Sequence, residues 1–240
     1  MKIAIQQAHY FPWLGYLDKI AKVDKFIIMD IVQLTDSSVS IRNKFLENNG
    51  KEKLLSLSID KKGYLDKKSN EIELKDWNRV RKKHGRFLYY NYKNTEFFEE
   101  VWEKIEFIFE KEYKLLFELQ MDILKILMEL FNLRTELVFQ SSLSYNYEAK
   151  KNNLVLELCK AVKADYYLSG NGAKKYMEVD LFEKENIKVL FQKFSYPRYK
   201  QKNSNDFITN LSSLDILFNC GIKEANKLFW ENVNNKNEFL

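Results

Sequence analysis

Four side chains able to bond or move a proton fall within five residues, Gln6, Gln7, His9 and Tyr10, and two more follow at Asp30 and Gln33. An imidazole titrates near neutrality and a carboxylate accepts protons, so His9 and Asp30 are candidate general bases. The amides of Gln7 and Gln33 and the phenol of Tyr10 offer paired donors and acceptors that orient a polar substrate. Such a set suits a reaction that moves one proton at a fixed ligand. The same side chains would serve equally to cap a helix and fix a turn.

The elements that must position them are legible in residues 1–33. Ile3 and Ile5 lie in one β-branched-rich run, and Phe26, Ile27, Ile28 and Met29 form another. Continuous apolar runs of that length fit parallel strands covered on both faces. Pro12 sits where a helix can begin, and Trp13, Leu14, Leu17, Ile20 and Ala21 recur at helical spacing. The stretch therefore reads as strand, loop, helix, strand. Ligands of open α/β sheets bind beyond the carboxyl ends of strands, which is where the polar set falls.

Further along, NNGK signals a hairpin or loop, and Leu55, Leu57 and Ile59 alternate with polar residues as in a one-sided strand. The loop before it carries Arg42, a rigid fork for phosphate or carboxylate, and Asn43. Arg42 would alternatively pair with Asp30 or Asp36. Residues 76–132 read as three helices, with Asp76 and Thr95 as N-caps of the first two. A strand is expected at Leu137–Phe139, a helix at 149–163, and strands at Asp165–Leu168 and in IKVLFQKF. The loop SGNGAKKYM follows a strand, and its Ser169, Gly170, Asn171 and Gly172 can expose N–H groups to an anion beside Lys174. It lacks the spacing of a P-loop. Tyr199 and Gln201 flank Pro197, and Gly221 is expected to stop a helix.

At 240 residues with 45% hydrophobic content the chain can bury a large core, and two prolines and seven glycines leave no flexible linker. The expected architecture is a three-layer α/β fold with a mainly parallel sheet and a helical insertion at about 76–132. No apolar run approaches a membrane span, the N-terminus enters a strand rather than a signal sequence, and two cysteines make no disulfide framework, so a cytoplasmic protein is expected. His9 and His84 are the only histidines and have no zinc-ligand spacing, so no metal site is expected, and nothing singles out a cofactor. Residues 61–93 carry eleven Lys and Arg against four Asp and Glu, a balance of +7 within a chain of net +5. Such a field attracts phosphate-bearing ligands or RNA, although a solvated helix face gives the same pattern. His84 lies within it as a third candidate base.

The motifs QQAHYFPWLGYLDKI, DIVQ, IRNKFLENNG, YYLSGNGAKKYM, FQKFSYPRYKQ and NLSSLDILFNCG occur in the order seen in the WbqC-like family of bacterial proteins, which the chain resembles over about residues 1–221. Gln7, the Arg42–Asn43 pair and the SGNG loop match the family pattern. The chain departs from it at Ala8, where Pro is common, and at Gln6, where His or Met is common. The resemblance implies a role in bacterial surface polysaccharide clusters, where such proteins are described as transferases attaching glycine or another amino acid to an amino sugar.

The leading expectation is a transferase that joins an activated acyl or aminoacyl donor, aminoacyl-tRNA included, to the amine of a nucleotide-linked amino sugar. His9, Asp30 or His84 would deprotonate the amine. Arg42, Lys174 and the Ser169–Gly170–Asn171 backbone would hold phosphates, and Gln7, Tyr10 and Gln33 would orient the reacting groups. Trp13, Asn43, Tyr199 and Gln201 complete the substrate-binding set. Two alternatives remain: an ATP-dependent adenylate-forming or nucleotidyl-transferring enzyme, and a non-enzymatic module binding an anionic ligand or RNA.

Overall fold

The structure is a computed structural model that describes residues 1–34, 39–202 and 204–234. Five parallel strands form its centre: β1 (Lys2–Gln6), β2 (Lys25–Ile28), β5 (Glu136–Phe139), β6 (Tyr166–Ser169) and β7 (Lys188–Phe191). Their order across the sheet is β5-β2-β1-β6-β7, so the chain reverses its direction of travel between β1 and β6. Helices α1 (Leu14–Ala21), α6 (Asn152–Ala161) and α7 (Val179–Glu183) connect strands, and α8 (Leu214–Val233) closes the chain. This is a three-layer α/β fold.

The pleat explains why both faces are covered. Successive side chains of a strand point to opposite faces. Ile3 and Ile5 of β1, Ile27 of β2 and Tyr167 of β6 join Leu156, Leu158 and Cys159 of α6 and Phe182 of α7 in one apolar cluster. Ala4, Phe26, Ile28 and Leu168, one register step away, join Leu17 and Ile20 of α1 and the apolar residues of α8 in the other. The inner residues of each short strand are apolar because each face has its own helical layer.

Between β2 and β5 the chain makes an antiparallel hairpin, β3 (Arg42–Leu46) and β4 (Glu52–Ser56), then α2 (Trp77–Tyr92), α3 (Phe98–Ile105), α4 (Phe107–Glu110) and α5 (Leu116–Leu130). The insertion is thus a hairpin as well as helices. β3 escapes a reading by composition because RNKFL is half polar; Asn43, Phe45 and Leu46 are its buried residues. The second expected helix is divided in two at Glu106. Thr95 does not cap it: its hydroxyl turns back to the Tyr92 carbonyl at 2.8 Å, and α3 begins at Phe98. Asp76 does precede α2, but in a left-handed conformation (φ +54°) with its carboxylate 3.4 Å from Arg79 instead of on a helix N–H.

Several aromatic residues of this region pack into the core, whereas Tyr89 and Tyr90 are exposed. Tyr92 and Phe98 both stack on Phe218, and Trp102 stacks on Phe98 and Phe109. Helix α8 is broken at Gly221, where φ is +74° and a Cβ would come within 2.6 Å of the Phe97 ring, so position 221 requires glycine.

Candidate functional site

The reversal of strand order between β1 and β6 sends α1 to one face of the sheet and α6 to the other, which opens a crevice above the carboxyl ends of the two strands. A cleft of about 1000 Å³ occupies that place, lined by Gln6, Gln7 and His9 at the end of β1, Ser169 and Gly170 at the end of β6, and Lys151 and Asn152 at the start of α6. Lys19 of α1 forms part of its wall.

Lys19 is the residue that composition gave no reason to single out. It lies in the second turn of α1, on the face turned to the sheet, and only 6% of it is exposed. Its Nζ donates to Gln6 Oε1 at 2.6 Å. Burial lowers its pKa from 10.5 to about 8, against the opposing pull of Asp18. Because the ammonium fixes Oε1 of Gln6 as the acceptor, the amide nitrogen faces His9 Nε2 at 3.2 Å and donates to it. Burial, reinforced by Lys19, drops the His9 pKa to about 3. His9 is therefore neutral, with its lone pair on Nε2 and its proton on Nδ1. That Nδ1 is buried and has no hydrogen-bond partner among the described residues. An orphaned buried donor costs about 1–3 kcal/mol.

The opening loop is held rigidly. Gln120 of α5 donates to the carbonyls of Ala8 (3.2 Å) and Ser40 (2.7 Å). Gln7 donates to Gln33 O at 3.2 Å and accepts from Ser40 Oγ at 3.3 Å, so it lines the cleft with its amide pinned. Gln33 itself is exposed and donates to the Leu65 carbonyl, which makes it a brace for the loop. Phe11 has φ +41°, an uncommon conformation for a bulky residue, and Asn43 Nδ2 holds its carbonyl at 2.6 Å.

Several residues that the sequence brings forward are placed elsewhere. Tyr10 and His84 form a buried pair at 2.8 Å between Tyr10 Oη and His84 Nδ1, outside the cleft lining. Burial lowers the His84 pKa to about 4 and raises that of Tyr10, so the phenol donates. Asp30 accepts from Ser141 N (2.9 Å) and Ser141 Oγ (2.6 Å) and contacts Asn70 at 3.4 Å; it clamps the end of β5 to the turn before α2. Tyr199 and Gln201 donate to the buried Asp215 at 2.7 and 3.2 Å, joined by Tyr92 at 2.9 Å. Desolvation raises the pKa of Asp215, and the three donors oppose that rise. Arg42 lies in a separate groove on the hairpin with Lys61 and Lys75. Asp36, its possible partner, lies outside the described residues. Lys174 is exposed, with Nζ 5.9 Å above the Phe191 ring. The sequence set thus divides: Gln7, His9, Ser169 and Gly170 meet at the cleft, Trp13 and Asn171 line a smaller cavity beside it, and the others are dispersed.

The fold defines an α/β protein with an open crevice at the switch point of a parallel sheet. Comparison with known proteins gives the family. The profile of the WbqC-like protein family matches residues 7–227, and the chain belongs to that family. It is 32% identical over 232 residues, 95% of this chain and 97% of the other, to "Uncharacterized protein Rv1507c" of Mycobacterium tuberculosis. No solved structure gives a significant match. Among the described residues, no helix is long and apolar enough to cross a membrane, and no three His, Cys, Asp or Glu side chains gather as a metal site.

Proposed function

We propose that the protein is a transferase that acylates, or aminoacylates, the amine of a nucleotide-linked amino sugar. The observation that carries this reading is that Lys19, with a pKa of about 8, and neutral His9, whose buried Nδ1–H has no partner among the described residues, both line one cleft. N-acylation needs a base that is partly free near neutral pH and a donor for the oxygen that becomes charged. At pH 7.5 roughly a quarter of a group with pKa 8 is unprotonated. Lys19 would take the proton from the amine as its nitrogen forms a bond to the acyl carbon. His9 Nδ1–H would hold the carbonyl oxygen as it gains negative charge. Collapse of the tetrahedral adduct breaks the bond to the leaving group, which receives the proton from Lys19.

His9 serves better as donor than as base, because a group with pKa near 3 takes up little of a proton at pH 7. Asp30 and His84 would act on folding through their partners. The test is a mass-spectrometric assay of the purified protein with UDP- and dTDP-linked amino sugars and acyl-thioester or aminoacyl-tRNA donors. The reading expects N-acyl product that disappears in Lys19→Met. Formation of an adenylate from ATP without acyl transfer to any sugar would replace it with the nucleotidyl-transferring alternative.

A further inference from the structure

The crevice has two lobes on opposite sides of the sheet. The cleft of about 1000 Å³ is walled by Ile5, Val155 and Tyr167, which belong to the apolar layer of α6 and α7. A second cavity of about 400 Å³ lies on the other side, walled by Trp13, Tyr16 and Phe194, which belong to or pack on the layer of α1 and α8. The two share Gln6, Lys19, Gly170 and Gly172, so they meet at the Lys19 ammonium. This division follows from topology: helices leaving adjacent strands toward opposite faces leave a gap above each face.

We propose that the smaller lobe is a pyranose subsite and that the acceptor sugar lies in it, with the donor group in the larger, mainly apolar lobe. The proposal rests on the transferase reading and names where its acceptor sits. A pyranose has C–H faces that pack on aromatic rings and a rim of hydroxyls that needs amide-type partners. The small lobe supplies both. Trp13 meets Phe194 edge-on at 5.3 Å and Tyr196 at 5.9 Å, so three rings form one wall. Asn171 and Asn210 stand at its rim. The wall is held in place: Tyr196 Oη donates to Asn210 Oδ1 at 2.5 Å, and Gln192 donates to Gly15 O at 2.7 Å and Asp18 at 2.6 Å. Gly15 leaves room for that wall, since a Cβ there would run into the Trp13 ring. Among the described residues Lys19 is the one lysine or arginine lining this lobe, which suits a neutral ring better than a polyphosphate.

The test is saturation-transfer NMR with the methyl glycoside of glucosamine, a sugar without nucleotide. Magnetisation transfer to the sugar protons is expected in the wild type, with at least a several-fold loss in Trp13→Ala and in Asn171→Leu. Asn171 is exposed, so its substitution keeps the test sound if Trp13→Ala fails to fold. Absence of transfer in the wild type, or transfer that survives both substitutions, overturns the subsite. Sugar binding lost in both variants, from a protein that forms no N-acyl product with any donor, supports the subsite and overturns only the transferase reading.

Discussion

The Lys19 ammonium and the Gln6 side-chain carbonyl lie 2.6 Å apart at the meeting point of the two lobes. The contact spans α1 and the end of β1, and it sets the orientation of the Gln6 amide and so the tautomer of His9. A lysine there opposes stability. Its folded pKa lies below the unfolded value, so the cost is fully present below pH 8 and fades as pH rises toward 10.5. Lys19→Met is therefore expected to raise the unfolding free energy by about 1–3 kcal/mol at pH 7 while abolishing transfer. Urea denaturation beside the product assay checks both; a variant that is less stable and inactive would make Lys19 a structural residue.

Acid should destabilise the protein well before its carboxylates titrate. Both histidines are buried and have folded pKa values, about 3 and about 4, below the unfolded 6.5. Their contribution is present above pH 6.5 and is lost as pH falls toward those values, because the unfolded chain then binds protons that the folded chain refuses. At pH 5 the loss is about 2 kcal/mol for each histidine. Denaturant midpoints at pH 8 and pH 5 measure it, and His84→Gln should remove roughly half of the difference. An unchanged midpoint would mean that the histidines are accessible.

Asn43 is expected to hold the strained Phe11. Loss of its 2.6 Å bond to the Phe11 carbonyl, in Asn43→Ala, should cost about 1–3 kcal/mol. Ligand affinity should fall as well, because Phe11 lies between the cleft loop and α1. A stability loss without any change in affinity would separate the hairpin from the site.

Tyr199 should behave as a structural residue. Its hydroxyl serves the buried Asp215, so Tyr199→Phe is expected to lower stability by about 1–2 kcal/mol and leave sugar binding unchanged. Equilibrium unfolding and the NMR titration described above distinguish this from a role in binding.

Much of the fold is legible in the sequence because the strands of a doubly covered sheet have apolar interiors and the loops after them are polar. FIIM was readable on that rule, and the strand expected at Asp165–Leu168 falls one residue short of the observed end at Ser169. β3 was hidden because a hairpin partly open to water reads like a loop. The site was legible only in part, since type and spacing identify a polar group but say nothing of whom it faces. His84 and Tyr10 carry catalytic chemistry and satisfy each other in the core. Lys19 reads as an ordinary helix lysine, and its charge matters only because α1 packs that face against the strand ends, a property of topology that no local pattern encodes.

The most direct test is the pKa of Lys19 itself, followed by NMR of the protein with 13C-labelled lysine and assigned with Lys19→Met. The Lys19 resonance is expected to titrate near pH 8 and to shift when a nucleotide-linked amino sugar is added. Titration near 10.5 with no response to the sugar would remove Lys19 from the site.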